Sequence, residues 1–143
     1  MLNLAKQGFL FSTNRKEIVL IKKNEPNFQK GKLNGIGGKV ESNESISEAI
    51  LREYHEEADL YISGWKPFIT LESEKVKVVF FKAFSNIYSK ARTMTNEPIS
   101  IYHVDDLHLE SIYHNLRWLI PMALDERVIH SVIRFVDPYN HKI

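Results

Sequence analysis

The chain has 143 residues, 43% hydrophobic and 26% charged, with a formal net charge of +1 and no cysteine. Such a length suits one domain, 1–143, with a sizeable core, and the near-neutral balance gives no global electrostatic case for binding a nucleic-acid polymer or a membrane. The lack of cysteine excludes disulfides, thiol catalysis and thiolate metal sites, and it fits a reducing cytoplasm.

The opening MLNLAKQGFLF carries no basic region followed by a long apolar stretch and a small-residue cleavage site, so no signal peptide is expected. Apolar runs such as VVFF at 78–81 are far too short to span a bilayer. A cytoplasmic protein with no membrane partner is the expectation.

GFLFS (8–12) and EIVLIKK (17–23) are rich in β-branched and aromatic residues and flank the turn-like TNRK, which predicts a hairpin. NEPNFQKGK (24–32) is a loop by its Asn, Pro and Gly content. LNGIGGKV (33–40) holds three of the six glycines and reads as a strand interrupted by tight backbone. Residues 44–59 predict a helix. WKPFITLES and KVKVVFFKAF predict two strands joined near Glu74, the second alternating as a half-buried strand does. A polar loop (85–98), the strand ISIYHV, a helix at 115–125 containing Pro121 and a last strand at 128–136 complete the chain. Strands around a central helix with a second helix later predict an α/β or α+β sandwich on a mixed sheet.

The helix poses a question of charge. Stepped at about 100° per residue, Ile46, Ala49, Ile50, Glu56 and Glu57 all fall within roughly 60° of Glu53. An apolar stripe therefore runs into three carboxylates at spacing i, i+3 and i+4. Dehydrated carboxylates repel, and a helix C-terminus is the unfavourable end of the dipole for them. A hard divalent cation with a preference for oxygen ligands, Mg²⁺ or Mn²⁺, would compensate. A solvated acidic face has the same composition, but not an apolar stripe leading into it. Upstream, the pair Gly37 and Gly38 permits close approach of backbone to a ligand or metal; a plain β-bulge uses the same residues.

Gly38, five residues, Glu44, seven residues and then REYHEEADL resembles the Nudix box, over residues 38–60. Two positions depart: Tyr54 stands for an aliphatic residue, and Asp59 for the glycine that ends the helix in a left-handed conformation. Tyr can bury its ring if its hydroxyl finds a partner, and Asp is one of the few other residues that adopts that conformation. The resemblance implies the α/β/α Nudix fold and Mg²⁺-dependent hydrolysis of a nucleoside diphosphate linked to another group. It implies metal ligation by Glu53, Glu56, Glu57 and the Gly37 carbonyl, and an Arg52–Glu44 brace. Glu97, in TNEPIS, stands where a further catalytic and metal-binding acid is found. Glu56 and Glu97 are both left open as general base.

GKLNGIGGKVE and IYHNLRWLIPMALD further resemble the branch that hydrolyses oxidised purine nucleoside triphosphates to monophosphate and pyrophosphate. Asn34 matches a base-contacting residue and Phe28 an aromatic wall. Asn115 and Leu116 stand in place of paired acids, so base preference is expected to differ. Trp118 and Tyr113 are stacking candidates, and Lys39 a phosphate-binding one. The alternatives are hydrolysis of ADP-ribose, a dinucleotide or a nucleotide sugar, or a non-catalytic nucleotide-sensing domain. Oligomeric state is not readable.

Overall fold

The computed structural model describes residues 3–136; the remainder of the expected 1–143 domain lies outside the described residues. Among the described residues eight strands form one mixed sheet: β1 (Asn3–Phe11), β2 (Glu17–Lys22), β3 (Leu33–Asn34), β4 (Ile36–Lys39), β5 (Lys66–Glu72), β6 (Val76–Phe84), β7 (Ile99–His103) and β8 (Ser131–Arg134). The main path runs β3-β2-β1-β6-β5-β8, with β4 added to β1 and β7 to β2. Two helices, α1 (Ile46–Ala58) and α2 (Leu116–Leu124), complete the frame.

Side-chain alternation on the central strands builds two cores. Phe9, Phe11, Ile18, Leu20 and Phe80 pack with Leu116, Leu119, Ile120 and Ala123 of α2. The intervening Leu10, Val19, Ile21, Val79 and Phe81 pack with Ile50, Tyr54 and Ala58 of α1. Strands buried on both faces lose the polar alternation of a one-sided sheet. That corrects the half-buried reading of the 75–84 strand, in which Val79, Phe80 and Phe81 are all buried. The helix-sheet-helix sandwich is as expected.

The predicted hairpin covers only part of β1. Leu10 and Phe11 pair with β2, while residues 5–8 pair antiparallel with β4, and the other edge of β1 runs parallel to β6. The interrupted strand at 33–40 divides at Gly35 into β3, which pairs with β2, and β4. Both predicted loops contain short 3-10 turns, Asn27–Gln29 and Asn86–Lys90, and another, Val104–Leu109, follows β7. The last strand is shorter than predicted and pairs in parallel with β5.

Helix α1 starts two residues later than predicted. Ser45 caps it, accepting from the Glu48 backbone N–H while the Glu48 carboxylate accepts from Ser45 N–H. Asp59 ends it with φ 56° and ψ 41°, the left-handed conformation anticipated for that position. Tyr54 is fully buried and its hydroxyl donates to the Gly8 carbonyl at 2.7 Å. Gly8 itself lets the helix sit close: a Cβ there would meet Ile50 Cδ1 at 2.8 Å. Pro121 is accommodated inside α2. Among the described residues no helix is long and apolar enough to cross a membrane.

Candidate active site

The C-terminal half of α1 brings acids against β1 and β4. Glu53 is 8% exposed and accepts from Lys6 Nζ at 2.8 Å; the Lys6 side chain is wholly enclosed and also donates to the Lys39 carbonyl. A Cβ on Gly38 would stand 2.9 Å from Glu53 Oε1, so only glycine admits the carboxylate so close to β4. Glu57 lies one turn on. Its Oε2 is buried and accepts no hydrogen bond. Burial first, then the charges of Glu53 and Glu97, push its carboxyl up to about 7, against the pull of Lys23 and Lys6.

Glu97 reaches the same group from the segment before β7. It is 8% exposed and accepts from Lys23 Nζ at 3.0 Å, Asn24 N at 2.6 Å and Glu25 N at 3.2 Å. Burial raises its pKa, but the Asn24 N–H, the Lys23 ammonium and the Glu25 N–H together outweigh that and hold it below the usual carboxylate range. Glu56 falls elsewhere than the helical period predicted. Its side chain is exposed, with an Oε2–Arg52 Nη1 distance of 3.2 Å. Tyr54 and Ala58, both in the core, centre the buried face on their side of Glu53, and Glu56 sits at the outer margin. Arg52 also grips Glu44 with two bonds, 3.0 and 2.8 Å, the brace anticipated. That bond is the main reason the Glu44 carboxyl is held down to about 2.

The donor set fits a hard divalent cation. Glu57 is a half-buried acid whose Oε2 is buried and unpartnered, coupled to two other acids, and an oxygen-preferring ion relieves that arrangement. Among the described residues no group of three or more His, Asp or Glu side chains is already gathered to hold a metal. The ion pairs account for the spread: Glu53 goes to Lys6, Glu56 to Arg52 and Glu97 to Lys23.

Of the residues expected to meet the base, the structure ties Phe28 to Tyr113 and Asn34 to the turn that carries Phe28. Phe28 is 49% exposed with its ring centroid 6.1 Å from that of Tyr113. Tyr113 N donates to the Leu33 carbonyl, which ties this segment to β3. Asn34 is 1% exposed, and its amide is engaged at both ends, donating to Gln29 Oε1 and accepting from Gly35 N. Asn115 precedes α2 with a buried, unpartnered Oδ1. Trp118 is 39% exposed on α2, and the Lys39 side chain is exposed at the end of β4. Lys23 ties the 23–32 loop to the acids, holding Glu97 by its ammonium and Lys32 and Gly31 by its backbone.

Lys6 went unassigned in the sequence, and Lys23 reads there, with the IKK run, as a phosphate holder or, more plainly, a solvated strand end. Lys6 sits inside an apolar strand, and its even position, shared with Leu10, is the only signal that it faces α1. Lys23 is instead the partner of Glu97.

A model of the NUDIX domain matches residues 5–121 of the chain. A search of curated proteins gave no match. Solved structures similar to the chain include a MutT analysed from Aliivibrio salmonicida and Vibrio cholerae, at 18% identity and TM-score 0.73, covering 87% of this chain and 98% of that one. The NUDIX domain of Shewanella oneidensis NrtR, complexed with ADP ribose, aligns at 15% identity and TM-score 0.74 over 85% of each chain. An ADP-ribose pyrophosphatase from Streptococcus suis aligns at 18% identity and TM-score 0.67, covering 96% of this chain and 100% of that one.

Proposed function

The chain belongs to the Nudix family of hydrolases, and from that premise we propose that it is a Mg²⁺-dependent pyrophosphohydrolase acting in the cytoplasm on nucleoside triphosphates. Its favoured substrate is a modified or oxidised purine nucleotide, cleaved to monophosphate and pyrophosphate. The observation that carries the reading is Glu57, half-buried, with a buried and unpartnered Oε2 and electrostatically coupled to Glu53 and Glu97. Such an acid is a liability to a fold and an asset to a metal site.

Glu53, Glu56, Glu57 and Glu97, with the Gly37 carbonyl, would hold the cation, Mg²⁺ or in its place Mn²⁺. When bound, such an ion neutralises phosphate charge and activates water for attack at phosphorus. The chain's own residues supply the frame. Lys6 fixes Glu53 from beneath, Arg52 ties the helix to Glu44, and Lys23 with two backbone N–H groups fixes Glu97. Glu97 therefore has both oxygens engaged, whereas Glu56 stands in solvent with Arg52 alone. Glu56 is the better placed proton acceptor of the two. Phe28, Asn34, Asn115 and Trp118 line the base end, and Lys39 the phosphate end.

The similar structures named for ADP ribose support a second reading, hydrolysis of a nucleoside diphosphate linked to a sugar. One experiment separates them: turnover of standard and oxidised purine triphosphates, ADP-ribose, NADH and dinucleoside polyphosphates with Mg²⁺ and with Mn²⁺, products resolved by anion exchange. Pyrophosphate release from a triphosphate, reduced about 10²–10⁴-fold in Glu57→Gln, is the expected result. Cleavage of ADP-ribose alone selects the second reading. No turnover, or turnover indifferent to the substitution, rejects the catalytic one.

A further inference from the structure

The face of β1 that looks toward α2 carries Gln7, Phe9 and Phe11 in succession, and both phenylalanines are fully buried. A glutamine in that row needs partners for its amide. Gln7 Oε1 is buried and accepts no hydrogen bond. An unmatched acceptor costs stability that an apolar residue of the same size would not. Its ladder partners are Gly37 on β4 and Phe80 on β6. A Cβ on Gly35 would come 3.1 Å from Gln7 Oε1, so the amide lies directly against the Asn34–Gly35 backbone. Neither glycine has a side chain that could partner the amide.

Asn34 sits at the same junction with the opposite character. Both ends of its amide are engaged inside the protein and it is 1% exposed. It braces the 3-10 turn that carries Phe28. Of the two amides here, the one signalled by the sequence is satisfied and the half-buried one beside it is not.

We propose that Gln7 is a specificity-determining residue whose amide meets the edge of the substrate's base. The proposal rests on the reading of the chain as a nucleotide hydrolase. The last torsion of a glutamine is soft, and a half-turn exchanges its carbonyl oxygen for its NH₂ group. One residue thus serves a purine edge that donates or one that accepts, and the site takes both 6-amino and 6-oxo purines. Glutamate at this position offers acceptors alone, and leucine offers neither.

The test compares kcat and KM of the parent, Gln7→Glu and Gln7→Leu on dATP, dGTP and their 8-oxo forms, with the Tm of each protein. In Gln7→Leu the loss falls on KM, about tenfold for both base types, while Tm equals or exceeds the parent's. In Gln7→Glu the ratio of kcat/KM for 6-amino over 6-oxo substrates rises about tenfold. With an active parent, an unchanged ratio in Gln7→Glu overturns the proposal. So does a Gln7→Leu variant that loses kcat and Tm together, which marks a structural role. A parent inert on every triphosphate is a different result: the functional reading fails, and this proposal fails with it.

Discussion

Glu57 is a residue whose charge works against the fold around it. Its carboxyl is raised from 4.5 to about 7, chiefly by burial. A group raised in this way contributes stability that is complete below its unfolded pKa and disappears as pH rises through the folded one. The metal-free protein is therefore expected to lose Tm between about pH 4.5 and 7. Glu57→Gln should flatten that decline and leave the variant more stable than the parent at pH 8, as a thermal melt in chelator would record. An unaltered pH profile would mean that solvent already relieves the carboxylate.

Also at this scale lies the difference between what the sequence disclosed and what it concealed. Glu53 and Glu57 were legible because the 3.6-residue period places them on the inward stripe. Glu56 shared that stripe on angle alone. Angles carry no weight for area, and the buried face is centred toward Tyr54 and Ala58, away from Glu56. Lys6 was concealed because alternation treats a lysine as outward-facing, whereas this one is held inside by Glu53 and the Lys39 carbonyl.

At the scale of elements, α1 is specified at both ends by local chemistry. The Ser45 and Glu48 capping box satisfies two N–H groups, and Asp59 closes the other end, its N–H donating to carbonyls of the last turn. Ser45→Ala should lower stability by about 1 kcal/mol in denaturant titration. Because the helix N-terminus lies a full turn and more from Glu53, KM and kcat should hold near the parent's values. The Asp59 ending followed from the resemblance to the Nudix box, where a glycine holds that place and Asp is one of the few other residues suited to the conformation. The split of β1 between two partners did not. Strand pairing across 30 residues of chain is decided by tertiary packing, and local propensity is silent on it.

On the whole-molecule scale, one sheet serves two cores, and neighbours in sequence belong to different ones. Phe80 packs toward α2 and Phe81 toward α1. Either residue changed to Ala should cost about 3–5 kcal/mol. If the sheet couples the layers, each variant will still unfold in one transition, with fluorescence and circular dichroism midpoints coinciding. Separate midpoints would mean that the layers melt independently. The sandwich itself was legible as a pattern of elements. Which helix covers which face was not, because both faces are apolar and the pattern is symmetric between them.

Three consecutive residues of β1 alternate between the two faces of the sheet. Lys6 points to α1 and neutralises Glu53, Gln7 points to the α2 side, and Gly8 receives the Tyr54 hydroxyl. Side chains on a strand change face at every step. A single codon gained or lost between this triplet and the Leu10–Phe11 pairing would exchange the lysine and glutamine across the sheet and put a side chain under α1. Such a lineage would lose ion pair, cleft and helix seat together, with no substitution at any of them. Among natural relatives, changes of length should therefore collect in the 12–16 turn and the 85–98 segment, while β1 diverges by replacement alone.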